Sequence, residues 1–247
     1  MGTWGTALFS DDLASDVRDD YRDLVGEGLS GVQATDRLLL EWEDTLADDP
    51  EGASVFWLAL AATQWRRGRL EGRVKKKALE IIGSGSDLER WAEEPILRKK
   101  REAVLENLHT QLNSTQPAQK RIRKSYKNTC EWDIGEVVSY RLLSGKLVLF
   151  SVTGFHTDKG GTSPIFEFLD WIGDDVPSEE KIRELGVRSK QFGNTQFMIG
   201  RLYEKELPRD RVHGLGIMLK PAQKPMGFTV FLWRNLDDGL KAAYGVS

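Results

Sequence analysis

Asn113-Ser114-Thr115-Gln116-Pro117-Ala118-Gln119-Lys120-Arg121-Ile122-Arg123-Lys124-Ser125-Tyr126-Lys127 separates two stretches of different periodicity in this 247-residue sequence. The segment is polar, basic and poor in apolar side chains, so it offers neither a helix stripe nor a strand face to a core. A basic linker is therefore expected at 113–130, with one domain at 1–112 and a second at 131–247.

Upstream, apolar residues recur at helical spacing. Leu13, Val17, Tyr21, Leu24 and Val25 share one face behind a cap at Ser10 or Asp11, and Gly26 and Gly28 end that helix. Ser30 with Gln33 forms a capping-box pattern leading into Val32, Leu38, Leu39, Trp42 and Leu46. Residues 51–67 are apolar all round, as the central helix of a bundle would be. Leu70 to Ile82 gives a fourth helix stopped by Gly83-Ser84-Gly85, and a short fifth follows Ser86. Pro95 opens a sixth that carries Val104, Leu105, Leu108 and Leu112.

Downstream the period shortens towards two, and Val, Phe, Tyr and Leu mark strands at 136–142, 147–155 and 165–172. A turn at Leu143-Ser144-Gly145-Lys146 joins the first two. Residues 196–203 and 228–233 give two more strands, with short helices at 178–185 and 236–244. The expected class is α+β: a helical bundle, then a small, strongly bent antiparallel sheet or SH3-like barrel with a C-terminal helix.

With 40% hydrophobic residues and 8 Trp, the chain has enough apolar surface for packed cores. The single cysteine, Cys130, excludes an intramolecular disulfide framework and suits a reducing compartment. The longest apolar run, Val55 to Ala62, is far too short to cross a bilayer, and no signal peptide is recognisable, so a cytoplasmic protein without membrane contact is expected. The net charge of −3 hides an asymmetry. Residues 1–64 hold 14 acidic and 3 basic side chains, whereas residues 65–130 hold 8 and 17. Either the two segments neutralise each other or each meets a different partner.

None of the three histidines, His109, His156 and His213, stands in a metal-binding pair, and no metal or cofactor site is expected. His156 and Asp158 share one loop, and Cys130 offers a nucleophile; these are the only catalytic candidates, set against a structural Cys and a loop His. Lys159-Gly160-Gly161 reverses the order a phosphate-binding loop needs. Asp11, Asp12, Asp16, Asp19, Asp20 and Asp23 suit a helix N-terminus or a basic neighbour better than a cation. The binding candidates are Arg98, Lys99, Lys100 and Arg101, then Lys120, Arg121, Arg123 and Lys124, within a basic segment spanning 66–127.

The opening Met1-Gly2-Thr3-Trp4-Gly5-Thr6, followed by Phe9-Ser10-Asp11-Asp12 and Asp16, resembles the start of a bacterial family known only as a domain of unknown function. That resemblance covers about the first 110 residues and implies no activity. Gly135-Glu136-Val137-Val138-Ser139-Tyr140-Arg141-Leu142 with Gly145-Lys146 and Val152 is similar to the barrel-opening hairpin of some bacterial toxin-immunity proteins. It implies binding to a partner protein. The expected function is thus non-enzymatic macromolecule binding, with a protein partner in an immunity or defence role first. A nucleic-acid-associated regulator using the basic segment is second, and a hydrolase around His156 third.

Overall fold

Asp11 accepts a hydrogen bond from the Leu13 N–H (2.9 Å) and so starts α1, Asp12–Gly26. The computed structural model describes residues 5–188, 196–220 and 227–246, and the chain divides into two compact units, Met1–Ser125 and Tyr126–Ser247. The first four residues of the Met-Gly-Thr-Trp opening lie outside the described residues.

In the first unit, Ser30 and Gln33 exchange the two bonds of a capping box and launch α2, Gly31–Glu41. The helix expected to run on through Leu46 breaks at Trp42, whose ring tilts against Phe56 (5.8 Å), and resumes as α3, Glu43–Asp48. Asp49 caps α4, Pro50–Arg66, with Pro50 at the position where its missing N–H costs nothing. Val55, Phe56, Leu58 and Ala59 to Gln64 are all buried, because α4 is packed against α1 and α3 as well as α5, Gly72–Ser84, and α6, Pro95–Asn113. Gly85 in the left-handed region ends α5, and a 3-10 turn follows at Ser86–Trp91.

Residues 114–125 then run extended along the same unit. The Lys120 N–H donates to the Arg67 carbonyl (3.0 Å), the Leu70 N–H donates to Gln116 Oε1 (2.9 Å), and Ile122 packs on the core. Gly68, at φ +67°, leaves room for the backbone of Pro117 and Ala118 that any Cβ would strike.

The second unit is a six-stranded sheet: β1 (Glu136–Arg141), β2 (Leu147–Asp158), β3 (Gly161–Gly173), β4 (Gln196–Gly200), β5 (Val212–Met218) and β6 (Thr229–Leu232), with α7 (Glu179–Glu184) between β3 and β4 and α8 (Leu236–Tyr244) last. Strand order is β5-β1-β2-β3-β4-β6. The strongly bent antiparallel sheet or SH3-like barrel expected from the sequence is corrected here to an open, mixed sheet. β6 joins β4 in parallel, and four strands stand between the edge strands β5 and β6, so the ends do not meet as barrel closure requires. Strand β5 escaped the sequence reading because Gly214 and Gly216 interrupt its alternation.

Both faces are covered, which explains the unbroken buried run at the start of β2. Val138, Tyr140, Val148, Phe150, Phe166 and Phe197 join Trp233, Leu236, Leu240 and Tyr244 on one face. Val137, Leu147, Leu149 and Leu169 meet Ile182 of α7 on the other.

The Gly160-Gly161 pair has a backbone role. Asn128 donates its N–H to the Gly160 carbonyl (2.7 Å) and its own carbonyl accepts from Thr162 (2.8 Å), so the 128 backbone lies flush against Gly161 at φ +105°. A Cβ there would overlap that backbone. Gly161→Ala is expected to lower stability by about 2 kcal/mol, from strain and a forced shift of Asn128, whereas Gly160→Ala changes little; urea unfolding of both variants measures the contrast.

Candidate anion-binding pocket

The catalytic candidates do not form an enclosed site. His156 Nε2 lies 3.5 Å from Asp158 Oδ2 at the exposed end of β2, with side chains 42% and 60% exposed. The His156 ring meets Phe228 edge-on at 5.3 Å. Cys130 precedes β1 and donates weakly to the Trp132 carbonyl (3.9 Å). Burial pushes its thiol up, away from the thiolate a nucleophile needs. Among the described residues no three His, Cys, Asp or Glu side chains gather as metal ligands would.

The basic candidates separate into three settings. Arg98, Lys99 and Lys100 are exposed in the first turns of α6. Arg101 is withdrawn: it is 2% exposed, clamps Asp87 through Nε (2.6 Å) and Nη2 (2.9 Å), and donates Nη1 to the Thr6 carbonyl (3.1 Å). The signal for this was present in the sequence. Arg101 stands at the head of the stripe Leu105, Leu108, Leu112, at spacings of four and three that belong to the buried face. Lys120, Arg121, Arg123 and Lys124 are exposed along the extended segment, which Ser125 also ties to α1 by donating to Asp23 Oδ1 (2.5 Å).

Only Lys120 of these lines a cleft of about 300 Å³, together with Phe9, Arg18, Arg22, Thr63, Arg66 and Arg67. Residues 18 and 22 are one turn apart on α1, while 66 and 67 stand at the C-terminal end of α4, where the helix dipole favours cations. The Lys120–Arg67 backbone bond holds the lysine at the rim. Asp19 organises the α1 side of the cleft: it accepts Nε and Nη2 of Arg18 (both 2.9 Å) and Nη1 of Arg22 (3.1 Å). These bonds, from Arg18 first, hold the Asp19 carboxyl below its ordinary range and raise Arg18 above its own. The Arg18 and Arg66 guanidinium groups each lie over the Phe9 ring, 5.3 and 5.0 Å from its centre.

Two of the buried donors without a partner belong to residues that line the cleft. Arg22 Nε and Thr63 Oγ1 are sealed from solvent without a hydrogen-bond partner among the described residues, and Thr63 is 3% exposed. Each such atom costs about 1–3 kcal/mol unless a ligand fills its place. Among the described residues, Arg66, Arg67 and Lys120 have no ion-paired carboxylate. Sharing Phe9 and Arg66 with this cleft is an adjoining groove of about 460 Å³, walled by Ala7, Leu8, Ala62, Val104 and Leu108.

Sequence reasoning reached Arg66, Arg67 and Lys120 as members of the basic segment. It missed Arg18 and Arg22, which sit inside the acidic helix, and it had no means of placing Phe9 and Thr63 beside them.

No family model matches the chain, and no curated protein or solved structure matches it.

Proposed function

We propose that this chain is a non-enzymatic binding protein whose helical unit holds a polypeptide partner carrying both apolar and acidic groups. The observation that carries this reading is the continuity of an aliphatic groove with a cationic cleft across Phe9 and Arg66. A nucleic-acid backbone would use the cations and gain nothing from Leu8, Ala62, Val104 and Leu108. An amphipathic segment with acidic residues at one end uses both. The immunity or defence role implied by the β1–β2 hairpin is the sharpest form of the proposal.

The test is retention of cellular components on the immobilised chain, compared with Arg66→Glu and Val104→Asp. Wild type is expected to hold a polypeptide that survives nuclease treatment, and both substitutions are expected to release it, by about tenfold or more in affinity. Retention that is abolished by nuclease, and sensitive to Arg66→Glu but not to Val104→Asp, would transfer the function to nucleic-acid binding.

A further inference from the structure

We propose that the Arg18–Arg22–Arg66–Arg67–Lys120 cleft is a phosphate site, taking the tetrahedral dianion of a phosphate or phosphate monoester. This rests on the reading above that the cleft receives a partner's anionic group, and it specifies that group's chemistry.

Charge favours a dianion. Five cationic side chains line the cleft, and Asp19 is the acid paired with them. A carboxylate contributes one negative charge to that excess, whereas a phosphate monoester contributes about two at neutral pH. Hydrogen-bond capacity points the same way. Asp19 occupies Nε and Nη2 of Arg18 and Nη1 of Arg22, which leaves Arg18 Nη1, Arg22 Nη2, the Arg66 and Arg67 forks and the lysine ammonium for a ligand. A carboxylate offers roughly four lone-pair sites; three terminal phosphate oxygens offer more, in a geometry that guanidinium forks match.

The orphaned atoms complete the case. Among the described residues Thr63 Oγ1 on α4 and Arg22 Nε on α1 have no partner; both atoms are buried and belong to side chains that line the same cleft. A hydroxyl beside several guanidinium groups is a donor set suited to an oxyanion with three acceptor oxygens. The two guanidinium groups over Phe9 are held in place by its ring, so part of the site is ordered before a ligand arrives.

Titration calorimetry with inorganic phosphate, O-phosphoserine and acetate tests the assignment on the full chain. Phosphate is expected to bind at least about tenfold more tightly than acetate, with Arg22→Gln and Thr63→Val each weakening it about tenfold. Lys146→Gln, on the β1–β2 turn, keeps wild-type binding. Thermal unfolding of each variant without ligand checks that it folds, and Arg66→Gln, exposed on α4, serves if Arg22→Gln does not. O-phosphoserine binding more tightly than inorganic phosphate identifies a phosphorylated side chain as the source, and the reverse identifies the free ion. Phosphate bound no better than acetate, or equally well by the variants, overturns the proposal. If that happens while the nuclease-resistant polypeptide is still released by Arg66→Glu, partner binding stands and the phosphate assignment alone falls. If phosphate binds and no polypeptide is retained, the partner reading falls instead.

Discussion

Replacing Arg101 by alanine is expected to destabilise the helical unit by about 3–5 kcal/mol, the cost of leaving one member of a buried ion pair alone. Both side chains are almost wholly enclosed, at 3% exposure for Arg101 and 0% for Asp87, so water cannot take the place of the lost partner. The Thr6 carbonyl also loses its donor. Two and three residues upstream the same kind of charge behaves differently. Arg98→Ala and Lys99→Ala remove solvated groups and should stay within about 0.5 kcal/mol of wild type. Asp87→Leu combined with Arg101→Met should recover much of the loss, since a well-packed apolar pair removes the desolvation cost along with the attraction. Urea unfolding followed by helical circular dichroism reads all four, and a midpoint for Arg101→Ala equal to that of Lys99→Ala would refute the structural role.

The second large effect is expected at Asp237, in the first turn of α8. Its carboxylate accepts from the Tyr140 hydroxyl (2.5 Å), the Leu143 N–H (2.6 Å) and Arg211 Nη2 (2.7 Å), tying α8 to β1 and to the segment leading into β5. Asp237→Ala removes the acceptor shared by these donors. Arg211 Nη2 keeps its bond to the Tyr140 hydroxyl (2.7 Å) and the exposed Leu143 N–H turns to water, so the Tyr140 hydroxyl proton loses most and the expected cost is about 2 kcal/mol. Burial alone would raise this carboxyl. The bonds from Tyr140, Leu143 and Arg211 outweigh it and hold the group below the ordinary range. The sign of the pH dependence follows. A carboxyl depressed in the folded state contributes fully above its unfolded value, near 4, and loses that contribution as pH falls through the folded one. The stability gap between wild type and Asp237→Ala should therefore be constant from about pH 7 to 5 and shrink below about pH 4. A gap that widens on acidification would contradict this account.

What could be read from the sequence was local. The Ser30–Gln33 box, the Asp11 cap, the stop at Gly85 and the β1–β2 turn each lie within a few residues, and each appears where expected. What escaped depends on residues far apart in the chain. β5 pairs with β1 from some 75 residues away and contains two glycines, and the parallel β4–β6 pair carries no signature in either strand alone. The cleft shows the same division. Arg66 and Lys120 announce themselves in a basic run. Arg18 and Arg22 are masked by neighbouring aspartates, and their meeting with α4 is a consequence of packing. Arg101 lies between: its helical stripe was visible, but its counter-ion Asp87 was not.

The strand order has a consequence for biosynthesis. β5 lies at one edge of the sheet and β6 at the other, so the last strand docks on β4, at the edge away from the strand made just before it. The residues that seal one face, Trp233, Leu236, Leu240 and Tyr244, all follow β6. While the ribosome is still making them, Phe150, Phe166 and Phe197 lack the part of their cluster that Trp233, Leu236, Leu240 and Tyr244 supply, whereas every residue of the helical core has already been made. Translation arrest near residue 228 would thus leave a finished helical unit attached to an unsealed, aggregation-prone sheet.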